Sequence, residues 1–334
     1  VAARRGDWSR LDEADVRVRP GKGSRPRSKL RPEHADAVTG MVVGKDRGRW
    51  TCAVDRDPDH LVVAMRAREL GRTPIVIGDQ VDIVGDTTGD PDTLARIVRV
   101  ADRVSELRRT SDDTDAYERV VVANAERLLI VCALADPPPR TGFIDRCLVA
   151  AFAGGLEPWL CLTKADLGDP AALMAAYEEL DLPVVVSRFD VDPDEVRSLL
   201  ADRVSALVGH SGVGKSTLVN KLVPDAARAI GAVSGVGKGR HTSTSAVALP
   251  LPGGGWVVDT PGVRAFGLAH IKPNDIVSAF PEFVAAAEEC PSGCGHLGAP
   301  EDPDCYLDTV VDEGTATTGR LESLRRLLKS KSED

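Results

Sequence analysis

Apolar and polar positions change rhythm three times along the chain. Between 36 and 110, short apolar runs at 37–43, 50–54, 61–65, 80–84 and 95–100 are rich in Val and Ile and separated by Gly and Asp. Five short strands in so few residues predict a small closed β-barrel. An OB-fold is the leading choice, although composition alone does not separate it from an SH3-like barrel. Gly78-Asp79 ahead of Gln80 supplies a tight connection. From 111 to 268 the pattern alternates. The run from Arg127 is continuously apolar, as a strand covered on both faces should be, and further strands are expected at 158–163, 183–187, 204–208 and 256–259. Helical stretches at 141–153 and 170–180 lie between them. Strand and helix in alternation predict βαβ units and a mostly parallel sheet. Residues 269–334 read as helices around a Cys/His cluster, and 1–35 as a basic, disordered leader.

Composition fits this multidomain α/β plan. The 334 residues allow two or three domains, and 43% hydrophobic with 28% charged residues suits a globular chain. The N-terminal stretch has no apolar core of a secretory signal. The longest uncharged apolar run, 128–135, is far short of the roughly 20 residues a membrane helix needs. Seven cysteines, three of them clustered near the end, suggest reduced thiols and a metal site, not a disulfide framework. A cytoplasmic, membrane-free monomer is the expectation. The net charge of −9 argues against bulk nucleic-acid affinity. Yet residues 1–32 hold ten Arg or Lys against four Asp or Glu, and 320–331 hold five against one. These basic ends are either solvated arms or segments that gain order on an RNA or phosphate surface.

The chemistry concentrates in four places. Gly209, His210, Ser211, Gly212, Val213, Gly214, Lys215, Ser216 and Thr217 form a P-loop between a predicted strand and a helix that Pro224 stops. Its glycines let backbone N–H groups turn toward phosphate oxygens, and the helix N-terminus adds partial positive charge. Lys215 would reach the β- and γ-phosphates and Ser216 would ligate Mg²⁺. Asp259-Thr-Pro-Gly262 ends a strand at the carboxyl edge of the sheet. Asp259 would hold Mg²⁺ directly or through water, and the Gly262 N–H would sense the γ-phosphate. Thr163-Lys164-Ala-Asp166 follows another strand. The Asp166 carboxylate can accept from guanine N1–H and N2, a donor pair adenine lacks. Lys164 would lie along the base, with Ser187 on the companion loop.

The motif order is unusual: the base-reading turn precedes the P-loop. The same fold cut at one loop and closed at another gives this order, so the GTPase domain is circularly permuted. The segment from Gly235 to Thr244 is Gly-rich and polar, suited to a mobile lid. Either Thr242 or Thr244 would close over Mg²⁺ with GTP bound. Val263 follows Gly262 where a water-orienting Gln is usual, so His241 is the candidate to complete catalysis beside Lys215 and Thr244; His241 binding a surface phosphate is the alternative. Cys290, Cys294, His296 and Cys305 form Cys-x3-Cys-x-His-x8-Cys, four ligands suited to tetrahedral structural Zn²⁺ with no open position.

On these residues the chain resembles the ribosome small-subunit-dependent GTPase family of bacteria, from about Gly40 to Leu328. Gly78-Asp-Gln-Val, Arg108-Arg-Thr, the P-loop, Gly239-Arg-His-Thr, Asp259-Thr-Pro-Gly-Val, Phe280-Pro-Glu-Phe and the Cys/His cluster carry the likeness. The ligand spacing is looser than the family's usual Cys-x4-Cys-x-His-x5-Cys, so a bulge is expected over 300–304. The resemblance implies an OB-fold, a permuted GTPase domain, a zinc domain and late maturation of the 30S subunit through contact with 16S rRNA. GTP hydrolysis to GDP would be stimulated by the ribosome. A latch that holds GTP and barely hydrolyses it competes with this reading, because of Val263. A P-loop kinase or ATPase requires Asp166 to be incidental. A zinc-finger DNA regulator lacks its basic recognition helix.

Overall fold

The computed structural model describes residues 34–110, 118–224, 226, 229–231, 246–260, 268 and 271–331. The first five runs fold as predicted: β1 (Val38–Asp46), β2 (Arg49–Val54), β3 (Leu61–Arg66), β4 (Gln80–Val84) and β5 (Ala95–Val100). They close in the order β1-β2-β3-β5-β4, with β1 also pairing β4 and with β3 parallel to β5. That is the connectivity of an OB-fold. Met41, Val42, Val62, Val81, Ile83 and Ile97 fill its interior and are fully or almost fully buried. A bulge between Val42 and Gly44 bends β1, which lets one strand serve two neighbours of a closed barrel.

The Gly78-Asp79 turn ties the barrel to the chain around Arg103 and Ala123. Gly78 has φ +88°, and a Cβ there would sit 1.9 Å from the Ala123 carbonyl oxygen. Asp79 is fully buried, and its carboxylate accepts from the Val76 N–H at 2.7 Å and from Arg103 at 2.7 and 3.0 Å. Asn124 donates to the Gly78 carbonyl and accepts from the Val104 N–H. A buried carboxylate is tolerated here because a guanidinium and a backbone donor satisfy it.

β6 (Glu106–Thr110) and β7 (Glu118–Ala123) form a separate two-stranded antiparallel sheet. β8 (Arg127–Ala133), β9 (Glu157–Thr163), β10 (Val184–Val186), β11 (Val204–Val208), β12 (Val247–Pro250) and β13 (Trp256–Asp259) build a six-stranded sheet. Its order is β10-β9-β8-β11-β13-β12, parallel except for β12. β8 and β11 at the centre are buried nearly throughout. α1 (Thr141–Gly154), α2 (Ala171–Tyr177), α3 (Asp194–Leu200) and α4 (Lys215–Leu222) are the connecting helices. The hydrophobic pattern anticipates the parallel strands. It misses β12, four residues ending in Pro250, and the β6–β7 pair, whose first strand Glu-Leu-Arg-Arg-Thr has one buried apolar residue.

α5 (Pro273–Val277), α6 (Pro281–Glu289), α7 (Leu307–Asp312) and α8 (Thr318–Ser330) complete the chain. α8 starts where the Thr317 hydroxyl accepts from the Arg320 N–H at 3.0 Å, a standard N-cap. It buries Leu321, Leu324, Leu327 and Leu328, each contributing about 2 kcal/mol by burial. Arginines fasten this helix to the parallel-sheet domain. Arg326 reaches buried Asp145 of α1 at 3.3 Å and lies over the Tyr177 ring, while Arg320 donates to the Glu179 carbonyl and also ties α8 to Glu282 of α6. No helix among the described residues is long and apolar enough to cross a membrane.

Candidate functional site

β8, β9, β10 and β11 run parallel with β13, so their carboxyl ends open on one edge of the sheet, where ligands of such folds bind. Four loops meet there. The first is the P-loop, between Val208 and Lys215. Gly212 and Gly214 have φ +84° and +90°, which side chains rarely adopt, and a Cβ on Gly209 would lie 2.6 Å from the Val131 carbonyl oxygen. The loop glycines therefore serve both curvature and close packing. Lys215 opens α4 and sends its ammonium to Asp259 Oδ1 at the end of β13, and to the Thr260 carbonyl at 3.2 Å. Both partners are largely buried, so the crevice already holds a cation and an anion at adjacent points. A bound phosphate would compete with Asp259 for that ammonium.

The second loop is the turn after β9. The Thr163 hydroxyl lies 2.5 Å from the Val213 carbonyl oxygen and 3.3 Å from that of Cys132. Its single proton serves the nearer one and ties this turn to the P-loop. Lys164 takes φ +56°, an uncommon geometry for a side-chain-bearing residue, and its ammonium donates to the Asp136 carbonyl. The third loop is clamped to the second: the Ser187 N–H donates to the Leu162 carbonyl at 2.7 Å, and the Ala165 N–H to the Ser187 carbonyl at 3.5 Å. Asp166 and Ser187 thus lie at neighbouring turns. Thr260 mirrors Thr163, its hydroxyl 2.5 Å from the Leu207 carbonyl oxygen. His241, Thr242, Thr244 and Gly262 lie outside the described residues.

The fourth loop, 134–140 after β8, carries none of the sequence motifs. Besides Asp136, it brings the Pro137 ring to 3.6 Å from the position a Gly212 Cβ would take. Phe143, in the first turn of α1, lies with its ring centroid 4.1 Å from that of His210. Burial, with Arg140 and Arg146 nearby, holds His210 below its ordinary pKa and therefore neutral. The one sequence signal for this loop is Asp-Pro-Pro-Pro directly after a buried strand, a rigid loop at the ligand edge of the sheet.

At the other site, the ligand atoms of Cys290, Cys294, His296 and Cys305 all lie within 4.8 Å of one another. His296 Nε2 is 2.8 Å from Asn274 Oδ1, while Nδ1 is buried without a partner. With Nε2–H donating to Asn274, the Nδ1 lone pair is the free ligand, the arrangement of a metal-bound imidazole with an outer partner. The residues fit a Cys3His zinc site. Burial and the neighbouring sulfurs push the metal-free Cys294 thiol up to about 12. The N–H groups of His296 and Tyr306 point at the Cys294 and Cys290 sulfurs at 3.4 and 3.3 Å. The longer spacing before Cys305 is absorbed by a turn, in which Asp302 accepts from the Gly295 and Leu297 N–H groups. Arg325 of α8 donates to the His296 carbonyl at 3.3 Å and pairs with Asp308 at 2.8 and 2.9 Å.

Comparison with known proteins agrees with this geometry. The sequence profile of the RsgA GTPase family matches residues 100–269. The chain is 36% identical over 302 residues to the small ribosomal subunit biogenesis GTPase RsgA of Gemmatimonas aurantiaca, covering 87% of this chain and 96% of that one. It is 39% identical over 269 residues to the protein of that name from Pseudomonas aeruginosa, with 78% and 76% covered. Among solved structures, YjeQ from Thermotoga maritima is similar at TM-score 0.62 and 25% identity, covering 89% of this chain and 99% of the other. YloQ, described as a circularly permuted GTPase, shares the fold at TM-score 0.63 and 18% identity, covering 91% and 98%.

Proposed function

The chain belongs to the RsgA GTPase family, and from that premise we propose that this GTP-hydrolysing enzyme acts in late maturation of the 30S ribosomal subunit, on which its turnover depends. The hydrogen bond from Thr163 to Val213 carries the site reading, because it joins a base-reading turn and a phosphate loop into one crevice in permuted order. Asp166 accepts from guanine N1–H and N2, Lys164 lies along the base and Ser187 closes its edge. The P-loop N–H groups, from Gly209 through Thr217, surround the phosphates. Lys215 leaves Asp259 for the β- and γ-oxygens. Ser216 and Asp259, joined by Thr242 or Thr244, would hold Mg²⁺, which would offset charge on the transferring phosphate. Gly262 would report the γ-phosphate, and His241 would join the site when the subunit binds.

Zn²⁺ held by Cys290, Cys294, His296 and Cys305 would stabilise the knuckle that α8 braces. The barrel is the surface for 16S rRNA. Lys45 and Arg66 flank Trp50, 5.7 and 5.9 Å from its ring centre, and Arg47 and Arg49 extend that basic edge. Localised positive charge on an OB barrel suits RNA even in an acidic chain. The protein works as a cytoplasmic monomer.

The test is phosphate release from GTP, with ATP as control, with and without purified 30S subunits. Stimulation by 30S of about 10³- to 10⁵-fold, for GTP alone, is the expected result. Tight GTP binding with no stimulation would instead favour a latch, the reading that Val263 supports. Preference for ATP would remove Asp166 from its role.

A further inference from the structure

Hydrolysis in this crevice lacks one ordinary component: Val263 stands where a water-orienting Gln is usual. The fourth loop contains a positive charge that the motifs leave unused. Arg140 is the last residue of that loop and caps α1, its carbonyl accepting from the Phe143 and Ile144 N–H groups at 3.1 and 3.2 Å. Its main chain is fixed on both sides against the P-loop. Three residues before it, Pro137 lies against Gly212; three residues after it, Phe143 lies against His210. The side chain is exposed, and its guanidinium has no hydrogen bond or ion pair among the described residues. Its charge is felt at His210 within the P-loop.

The other candidate cation, Arg146, sits half-buried within α1, with its Nε shut away from solvent. The loop's own carboxylate, Asp136, lies at its opposite end, where its carbonyl engages Lys164.

We propose that Arg140 is a catalytic residue, an arginine supplied in cis that stabilises the transferring phosphate of bound GTP. In the step it serves, a water oxygen bonds to the γ-phosphorus as the bond to the β–γ bridging oxygen breaks. The electron pair of that bond stays with GDP, and the proton of the attacking water leaves with inorganic phosphate or solvent. Negative charge grows on the bridging and terminal oxygens. A guanidinium reaching over the P-loop from Arg140 offsets it from within the chain. The packing of Pro137 on Gly212 and of Phe143 on His210 fixes the main chain that carries Arg140 beside the P-loop, where such stabilisation is needed.

The inference rests on the nucleotide-site reading, and its test separates the two. Full-length wild type, Arg140→Ala and Arg140→Lys are compared with and without 30S subunits. Three quantities are measured: dissociation constants for a fluorescent GDP and a non-hydrolysable GTP analogue, single-turnover phosphate release, and capture of GDP with aluminium fluoride. The expected result for Arg140→Ala is about 10²-fold slower phosphate release, loss of the aluminium fluoride complex, and nucleotide affinities within about threefold of wild type. Arg140→Lys should recover part of the rate. Wild-type turnover in Arg140→Ala overturns the proposal, and so does a fall in nucleotide affinity as large as the fall in rate. If wild type itself binds no guanine nucleotide, the site reading fails with it.

Discussion

The Thr163 hydroxyl lies 2.5 Å from the Val213 carbonyl oxygen, joining the turn that faces the base to the loop that faces the phosphates. Both groups are buried, so removing the hydroxyl strands an acceptor. Thr163→Val keeps the shape and deletes the donor. The expected cost is about 1–2 kcal/mol, read as roughly 10-fold weaker GDP binding, with Thr163→Ser restoring most of it. Unchanged affinity in Thr163→Val would mean that the two loops hold position independently.

The barrel joint makes a second prediction, about stability. Gly78→Ala would place a Cβ 1.9 Å from the Ala123 carbonyl oxygen, at φ +88°. The backbone must move, and Asp79 beside it would lose alignment with Arg103. A loss of about 3 kcal/mol or more is expected, visible as a lower urea midpoint for the full chain. A midpoint within error of wild type would show that the joint is softer than its packing implies.

A third prediction concerns acid. Burial works against the Glu106 carboxylate, but Arg103 at 3.0 Å and Arg108 beside it outweigh that and hold its pKa below the ordinary carboxylate value. A folded-state pKa below the unfolded one gives stability that is present above the unfolded value, near about 4.3, and lost as pH falls through the folded value. Glu106→Gln should therefore destabilise the protein at pH 7 and much less at pH 3, as followed by thermal melts across that range. An equal effect at both pH values would assign the loss to packing.

Much of this fold is legible in the sequence because it is periodic or composed of motifs. The five barrel strands are short Val- and Ile-rich runs set off by Gly and Asp, and β8 and β11 are continuous apolar runs, so both announce their burial. The P-loop and the turn at Thr163 are legible because few residue types satisfy a phosphate cradle or a guanine edge. Other features depend on tertiary contacts that leave little local trace. β12 exists because β13 offers an unpaired edge, and the β6–β7 sheet rests chiefly on its partner strand and the joint at Asn124. The loop 134–140 reads locally as a proline-rich connection; only the packing of Pro137 on Gly212 and Phe143 on His210 brings it to the crevice. In the same way, Cys-x3-Cys-x-His-x8-Cys names four ligands but not Asn274, which lies on a helix 16 residues before the first of them.

Asn274 carries the last prediction. Its Oδ1 lies 2.8 Å from His296 Nε2, and the opposite ring nitrogen is buried beside three sulfurs without a partner. Burial, reinforced by Arg325 and opposed by Asp302, keeps the imidazole below its ordinary pKa, so it presents a neutral ring with one N–H and one lone pair. The Asn274 carbonyl decides which nitrogen carries the proton. In Asn274→Ala the ring can carry it on Nδ1 and turn, and the metal loses a pre-oriented ligand. Zinc affinity should fall about 10- to 100-fold, measured by competition with a chromophoric chelator, while guanine-nucleotide affinity in zinc-saturated protein stays at the wild-type value. Asn274→Asp, which keeps an acceptor for Nε2–H, should hold zinc at least as well as wild type. Equal zinc affinity in all three proteins would show that the sulfurs alone set the site and that His296 needs no outer partner.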